Sequence, residues 1–308
     1  MLQPIDENNR DPPKTRDEVH AFLLHTGKKS HWSFVLARAR CEANLLRRQW
    51  KIYMVCIFVI LYGGSVVFRN LAFFLYVPGE RLPRDVGFDL LPEVKGYVTN
   101  MPLFLLQITC VATCVLTFAP IAPKAPFAVN ILRRWGAVEA IGTLLRFVTY
   151  ISTSVPGAAD HCLLSKNPDL QQNQPKTLRD ILWSIKVDGV GLEGHSSKPG
   201  SYNCGDLVFS GHMLMACAYA LVANRYTPSV VNMPKRMQKW FFRPALVVLV
   251  LTQAVLTLMA RNHYSMDVVI GMYVTPLLWH WYITVLDCEE MQPEVPAAHA
   301  LGGSAQEC

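Results

Sequence analysis

Charged residues are scarce in this chain of 308 residues. Asp, Glu, Lys and Arg together make up 17% of it, whereas hydrophobic residues make up 51%. Soluble domains carry roughly 25% charged residues, so the deficit argues against a soluble protein and favours a membrane protein. The formal net charge is +6, but the Lys and Arg residues lie mainly beside apolar runs. That placement is typical of membrane topology rather than of nucleic-acid binding.

Several common signatures are also missing. The sequence has no internal repeat, no Gly-rich nucleotide loop, no HExxH motif and no Asn-x-Ser/Thr sequon. Its nine cysteines form no CxxC pair of the kind that binds metal. The polar, Pro-containing first residues show no signal-peptide pattern, so we expect the first apolar run to be an uncleaved anchor.

Six apolar runs are each close to the ~20 residues that a helix needs to cross hydrocarbon. They lie at about 52–76, 100–121, 132–155, 206–224, 241–260 and 265–286. We therefore predict an all-α, polytopic membrane protein with six bundled transmembrane helices. The remaining parts are predicted to be a cytosolic N-terminal arm with a basic amphipathic helix (1–51) and a short cytosolic tail (287–308), which flank the membrane domain (52–286).

Basic residues set the expected orientation. They cluster in three segments that fall on one side of the membrane if six spans alternate, namely 38–51, 124–134 and 225–239. The positive-inside rule makes that side, with both termini, cytosolic. The long loop 156–205 then faces the lumen or exterior, where cysteines oxidise. We hypothesise a disulfide between Cys162 and Cys204, which bracket this loop.

Three ionisable residues lie at the edges of apolar runs, where such groups are costly and usually functional. His263 and Asp267 are four apart, so on a helix they share a face. The carboxylate would then hold one imidazole nitrogen and leave the other free to attack. His212 would lie at the same, non-cytosolic end and could supply a second proton-transfer group. This pattern predicts a phosphoryl-transfer site at a membrane surface.

Other interpretations of the three residues stay open. His212 alone could be a buried histidine satisfied by a backbone carbonyl, and His263 with Asp267 could be a structural or helix-capping pair. Two histidines and an aspartate also form a catalytic zinc pattern, although the short His spacings typical of metallohydrolases are absent. Our prediction has no metal and no cofactor.

Further polar residues are candidates for substrate binding. Arg146 and Tyr150 lie on one face of the third run with Glu139, and Arg146 suits a phosphate oxygen. A salt bridge inside the bundle is the alternative for Arg146 and Glu139. Asp206, at the start of the fourth run, suits either a positive helix end or a substrate headgroup. The remaining candidates are Ser210 and Arg261.

These residues resemble the motifs of the sphingomyelin synthase family, which includes the inositol-phosphorylceramide synthases. Two motifs match closely: Cys204-Gly205-Asp206 through Ser210-Gly211-His212, and His263-Tyr264-Ser265-Met266-Asp267-Val268. Two looser counterparts are Pro83-Arg84-Asp85-Val86-Gly87-Phe88-Asp89 and Leu144-Leu145-Arg146-Phe147-Val148-Thr149-Tyr150.

The resemblance implies six spans, a lumenal active site in the Golgi or plasma membrane, and a triad of His212, His263 and Asp267. It also implies the reaction, in which a phospho-headgroup moves from a glycerophospholipid donor to the primary hydroxyl of ceramide and diacylglycerol is released. The family is related to the lipid phosphate phosphatases. This chain lacks the upstream Lys…Arg-Pro motif of those relatives.

Two departures bear on the headgroup. Met213 follows His212 where choline-transferring members usually have Thr, and Arg261-Asn262 stands where they tend to have Glu-His. Both features resemble the inositol-phosphorylceramide branch, so we expect inositol phosphate. Choline or ethanolamine phosphate transfer is the alternative, followed by a lipid phosphate phosphatase and a non-enzymatic lipid transporter. The oligomeric state is open, and a homo-oligomer is one arrangement.

Overall fold

The computed structural model describes residues 31–77, 83–94, 97–119, 125–159, 162–165, 168, 174–190, 204–205 and 207–286. The described residues form helices and connecting turns, with no strand among them. The tail predicted at 287–308 lies outside them.

The helices are labelled in chain order. α1 (His31–Ile57) continues through a π-helical segment (Phe58–Phe68) into α2 (Arg69–Leu75), and these three parts form the first helix. α3 (Val86–Leu90) and a 3₁₀ turn (Tyr97–Asn100) precede α4 (Met101–Leu116), α5 (Ala128–Ser152) and α6 (Leu178–Val190). α7 (Gly211–Val230), α8 (Lys235–Met237), a π-helical segment (Gln238–Phe242), α9 (Arg243–Met259), α10 (Ser265–Trp281) and a last π-helical segment (Tyr282–Leu286) follow.

Four of the helices are long and apolar enough to cross a membrane. Their candidate spans are Trp32–Leu75, Val98–Leu116, Lys235–Met259 and Ser265–Val285. The predicted third and fourth spans correspond to α5 and α7, which do not meet this criterion. α5 carries four charged side chains, and α7 is the helix that packs against α4, α5, α9 and α10. The structure is thus an all-helical membrane fold, and the count of six spans stays a prediction.

α7 lies at the centre of the bundle, where several small side chains allow close helix packing. Ala216, Ala218 and Ala223 are fully buried, as are Met213 and Leu214. Small residues let helix backbones approach closely in membrane proteins. The helix begins at Gly211, five residues later than the start of the predicted run at 206. Residues 207–210 instead form a turn that contacts the start of α10, as described below.

The basic N-terminal segment is joined to the first span without a break. The candidate span Trp32–Leu75 has 44 residues, which corresponds to about 65 Å of helix and exceeds a bilayer's hydrocarbon core. No helix end marks the boundary predicted at residue 51, so that division stays a prediction. The sequence pattern had suggested an amphipathic helix lying on the membrane surface, but this segment is also docked onto the bundle.

Arg38 and Glu42 make that contact. Glu42 accepts hydrogen bonds from the backbone N–H groups of Ala128 (2.7 Å) and Val129 (2.9 Å), the first residues of α5. Arg38 donates through Nη2 to the carbonyl of Pro126 at 2.7 Å. Glu42 therefore satisfies N–H groups that a helix start leaves without intrahelical partners, and it does so from another helix.

Candidate active site

The carboxylate of Asp267 joins two segments that are far apart in sequence. Its Oδ1 accepts from the N–H of Val208 at 2.9 Å, and its Oδ2 accepts from the N–H of Tyr264 at 3.1 Å. Its backbone carbonyl also accepts from the N–H of Ser210 at 3.1 Å. The side chain is only 3% exposed. A buried carboxylate needs such donors, and here they fix the 207–210 turn against the first turn of α10.

His263 contacts the same carboxylate. Its Nδ1 lies 3.3 Å from Oδ2 of Asp267, and the residue is 6% exposed. In a neutral imidazole, an acceptor at Nδ1 favours the tautomer with the hydrogen on that nitrogen and the lone pair on Nε2. The predicted pairing of the two side chains is confirmed, but the shared helix face is wrong. α10 begins at Ser265, so His263 precedes the helix and Asp267 reaches back to it from the first turn.

His212 approaches from another helix. It is the second residue of α7, and its ring centroid lies 5.7 Å from that of His263 with the ring planes at 70°. The structure thus brings together two imidazoles and one carboxylate that sequence patterns had singled out. Such a set can supply an imidazole nucleophile, a carboxylate that orients it and a second proton-transfer group, which nucleophilic catalysis requires.

Arg146 lies beside this group, on α5. Its Nε donates to the carbonyl of Phe209 at 3.0 Å. The guanidinium also packs against Gly211, since a Cβ placed on that glycine would lie 2.5 Å from Nη1 and 2.7 Å from Cζ. Gly211 therefore provides the space that Arg146 occupies next to His212. Tyr150, one turn further along α5, is buried and makes an edge contact with Phe147.

Ser210 begins α7. Its side-chain oxygen accepts from the N–H of Met213 at 3.4 Å, and the residue is fully buried. This is the usual role of a serine before a helix. A substrate contact of Ser210 stays a prediction, as do those of Arg146 and Tyr150. Asp206, the remaining candidate of this segment, lies outside the described residues.

Arg261 holds the α3 segment. Its Nη2 donates to the carbonyls of Phe88 (3.1 Å) and Leu91 (3.0 Å), and its guanidinium carbon lies 4.3 Å from the centre of the Phe88 ring. The contact with the end of a short helix suits a cation. This arrangement was not foreseen from the sequence. The predicted contact between Arg261 and a phosphoryl oxygen stays a prediction.

Asp85 makes a second contact that was not predicted from the sequence. Its two carboxylate oxygens accept from the N–H and the hydroxyl of Ser265, each at 2.8 Å. Oδ1 also accepts from the N–H of Phe88 at 3.2 Å. One carboxylate therefore begins both α3 and α10. The loose motif 83–89 had marked this residue, but nothing in its pattern pointed to Ser265.

The long loop is fastened beside the site. The hypothesised disulfide between Cys162 and Cys204 is present, with the Cα atoms 5.5 Å apart. It packs against Phe73 and Tyr76 at the end of the first helix. Gly205 follows in a left-handed conformation (φ +96°), and a Cβ there would lie 2.9 Å from the carbonyl oxygen of Ala72. The disulfide at Cys204 and the close contact at Gly205 therefore hold the chain shortly before Val208.

Two tyrosine hydroxyls complete the attachment. Tyr76 donates to the carbonyl of Cys162 at 2.7 Å and accepts from the N–H of Gly157, and Tyr264 donates to the carbonyl of Pro156 at 2.8 Å. Burial raises the pKa of both tyrosines above the ordinary value. The raised pKa keeps both hydroxyls protonated, and able to donate, even at an alkaline pH where a free tyrosine begins to ionise.

The described residues contain no group of three or more His, Cys, Asp or Glu side chains arranged to hold a metal ion. The zinc interpretation therefore gains no support from this part of the chain. The arrangement around His263 instead matches an imidazole activated by a carboxylate.

Comparison with known proteins places this geometry in a family. Residues 203–284, which contain all three members of the cluster, match the family model described as PAP2 superfamily C-terminal. The chain is 27% identical over 258 residues to phosphatidylinositol:ceramide inositolphosphotransferase 3 of Arabidopsis thaliana, covering 80% of this chain and 78% of that protein. A rice phosphatidylinositol:ceramide inositolphosphotransferase (Oryza sativa subsp. indica) is 28% identical over 274 residues, covering 86% of this chain and 73% of that protein.

Over most of its length the chain is similar to members of the sphingomyelin synthase and inositol-phosphorylceramide synthase family. Human phosphatidylcholine:ceramide cholinephosphotransferase 1 is a relative of the choline type. It is 30% identical over 158 residues, which cover 50% of this chain and 34% of that protein. The chain thus resembles two inositol-type relatives over most of its length and the human choline-type relative over half of it.

Proposed function

We propose that the protein is a membrane enzyme that transfers a phospho-headgroup from a glycerophospholipid to the primary hydroxyl of ceramide and releases diacylglycerol. The observation that carries this proposal is the cluster of His212, His263 and Asp267 at the meeting point of α7 and α10. The relatives named above are ceramide phosphotransferases, and the activity is carried over to this chain from them.

The first step forms a phosphohistidine-type intermediate. Nε2 of His263 attacks the donor phosphorus, and the bond from phosphorus to the diacylglycerol oxygen breaks. His212, in its protonated form, gives its proton to that oxygen, so diacylglycerol leaves as an alcohol. Asp267 keeps Nδ1 of His263 protonated and stabilises the positive charge that develops on the ring.

The second step reverses these roles with a new acceptor. The primary hydroxyl of ceramide attacks the phosphorus while His212, now neutral, takes its proton. The bond between phosphorus and Nε2 breaks, which frees His263 and leaves His212 ready to act as an acid again. Arg146 lies beside His212 and would stabilise negative charge on the phosphoryl oxygens during both steps.

The headgroup we propose is inositol phosphate from phosphatidylinositol. Alignment length does not separate the headgroups, because the inositol-type relatives align over 80% and 86% of this chain and a choline-type relative of Caenorhabditis elegans also aligns over 80% of it. Met213 and Arg261-Asn262 differ from the choline pattern in the same direction. Arg261 contributes less to this assignment than Met213 does, because its Nη2 already donates to the carbonyls of Phe88 and Leu91.

The compartment we propose is the Golgi, with the site on the lumenal face and both termini in the cytosol. The disulfide beside the site supports an oxidising environment. The basic segments at 38–51 and 225–239 support the assignment of the opposite face to the cytosol.

A donor competition assay tests the proposal. The purified full-length protein in detergent receives ceramide and an equal mixture of phosphatidylinositol, phosphatidylcholine and phosphatidylethanolamine, and mass spectrometry resolves the products. We expect inositol-phosphorylceramide and an equal amount of diacylglycerol. A choline or ethanolamine product would overturn the headgroup, whereas free headgroup phosphate without a ceramide product would indicate a hydrolase.

Histidine variants test the chemistry separately. His263→Ala and His212→Ala should each lower turnover by about 10³-fold or more, while His280→Ala, at an exposed position near the end of α10, should retain it. Unchanged turnover in His263→Ala would remove the nucleophile assignment. Lack of any turnover by a correctly folded wild-type protein, with lipid transfer between vesicles instead, would favour a transporter.

A further inference from the structure

α6 lies within the loop that the disulfide closes, and it packs against the end of the first helix. It contacts both α2 and the π-helical segment Phe58–Phe68. The chain just before α6 is held by Gln174, whose Nε2 donates to the carbonyls of Phe73, Phe74 and Tyr76 at 2.8, 3.1 and 2.6 Å. Sequence reasoning had treated 156–205 as a loop with little periodicity, so this helix is a new element.

The contact with the first helix sets the depth of α6. The candidate span of that helix ends at Leu75, and Phe68 lies seven residues earlier, or about 10 Å along the axis. One leaflet contributes about 15 Å of hydrocarbon. A helix that touches both α2 and the segment before it therefore lies at the level of the leaflet that surrounds the end of this span.

One side of α6 is buried and the adjacent side is exposed. Ile181 is 4% exposed, whereas Leu178 and Leu182 are 71% and 60% exposed. Leu178 and Leu182 are one turn apart, and Ile181 lies on the same face of the helix. The exposed leucines thus extend an apolar stripe outward from the side of α6 that is buried at the first helix.

The flank of this stripe carries basic and aromatic side chains. Arg179 and Lys186 are both exposed, and they project next to Leu182 on the helical wheel. Trp183 is 62% exposed, and Nζ of Lys186 lies 5.7 Å from its ring. Leucines beside a Trp and two cations form the pattern of a helix in the membrane interface, where apolar side chains enter the acyl region and cations reach lipid phosphates.

We propose that α6 is an in-plane membrane helix. Leu178 and Leu182 insert into the acyl chains of the leaflet on the side of the catalytic cluster, and Arg179 and Lys186 contact phosphate groups of the same leaflet. The partner is a phospholipid surface. The loop that contains α6 is closed by the Cys162–Cys204 bond. Cys204 lies shortly before Val208, whose N–H donates to Asp267. The loop therefore connects the leaflet to the turn that holds Asp267.

Site-specific photo-crosslinking tests this placement. The full-length protein carries the photo-reactive residue p-benzoylphenylalanine at position 182, is reconstituted into phosphatidylcholine vesicles and is irradiated. The matched control carries it at Ser184, which is turned to about the opposite side of the helix. Mass spectrometry of the tryptic peptides measures the share of each that has gained one phospholipid.

We expect the lipid adduct at position 182 to exceed that at position 184 by about tenfold, as acyl chains surround only one of the two positions. Equal adducts at both positions, or none at 182, would overturn the proposal. A crosslink from 182 to a second copy of the chain would overturn it in favour of a protein interface.

A polar substitution gives an independent readout. Leu178→Gln with Leu182→Gln removes the exposed stripe without touching buried Ile181, and Ser184→Gln is its control. Wild type and the control should show the same blue-shifted Trp emission and the same quenching by brominated lipids, and the double variant should lose part of the quenching through Trp183. The difference in quenching between wild type and Trp183→Phe measures the share that comes from Trp183. Quenching that is unchanged in the double variant would contradict the proposal.

Discussion

Asp85 and Ser265 are 180 residues apart, yet both oxygens of the Asp85 carboxylate accept hydrogen bonds from Ser265, one from its N–H and one from its hydroxyl. This contact fixes the first residue of α10, which lies between His263 and Asp267. The segment at 83–89 thereby helps to position His263 and Asp267, two members of the cluster that they form with His212. It does so without supplying a member itself.

Asp85→Ala should weaken the start of α10. The loss of a helix-capping carboxylate costs about 0.5–2 kcal/mol, and the first turn of α10 would lose its link to α3. We expect a lower thermal midpoint in detergent and a turnover reduced by about tenfold or more as His263 loses its fixed position. Asp89→Ala is the matched control, because Asp89 pairs with Arg84 on the exposed surface. A loss of turnover in the control equal to that in Asp85→Ala would contradict the special role of Asp85.

Asp267→Asn should abolish most activity while keeping the fold. The amide has one carbonyl oxygen where the carboxylate offers two acceptors, and it cannot stabilise a positive imidazole as a carboxylate does. We expect turnover to fall about 10³–10⁴-fold, by analogy with other triads. Circular dichroism checks the helix content. Full activity in this variant would mean that the carboxylate does not orient His263.

Loss of the disulfide should affect the active site as well as stability. In Cys162→Ser, the loop that carries Cys204 and Gly205 loses its covalent attachment to the other end. Disulfides typically contribute about 2–4 kcal/mol, and the donor Val208 follows only four residues after Cys204. We expect a lower thermal midpoint and reduced turnover, measured in detergent.

The matched control for this variant is Cys41→Ser, which replaces a free cysteine on α1 and should behave as wild type. Reductant should reproduce the effect of Cys162→Ser on the wild-type protein. If reductant inactivated the Cys162→Ser variant further, a different thiol would be responsible.

Gly211→Ala probes the position of Arg146. The added Cβ would lie 2.5 Å from Nη1 of Arg146, so the guanidinium has to move away from His212. Because the end of a flexible side chain yields more easily than backbone does, we expect a small change in thermal midpoint but a loss of turnover of about tenfold or more. Arg146→Lys should also lose turnover, since an ammonium cannot replace a guanidinium fork at a phosphate. Unchanged turnover in both variants would exclude a role for Arg146 in the reaction.

Much of the site could be predicted because its chemistry is carried by rare residues. Two histidines and an aspartate at the ends of apolar runs are unusual in a membrane protein, and their placement at one end follows from the alternation of spans. Cys162 and Cys204 bracket one loop, which made their pairing a reasonable hypothesis. For the histidines and the aspartate, the energetic cost of an ionisable group at an apolar run restricted the interpretation.

Other features depended on contacts that leave no pattern along the chain. Glu42 begins α5 from a different helix, Asp85 fixes Ser265, and Arg261 holds the end of α3 although its position suggested a substrate contact. Each is a polar side chain whose partner is a backbone group distant in sequence. The sequence around such a residue is no different from that around any surface Asp, Glu or Arg. Its hydrogen-bond partner can therefore be identified only in the packed structure.

The sequence by itself determined that this is a helical membrane protein with a carboxylate and two imidazoles available for chemistry, because apolar length and the cost of buried charge are local properties. Only the tertiary structure decided how those groups meet. His263 lies before α10 and not on its face, and the turn at 207–210 stays out of α7 to donate hydrogen bonds to Asp267. The physical reason is that a buried carboxylate must find its donors wherever the fold brings backbone N–H groups within reach.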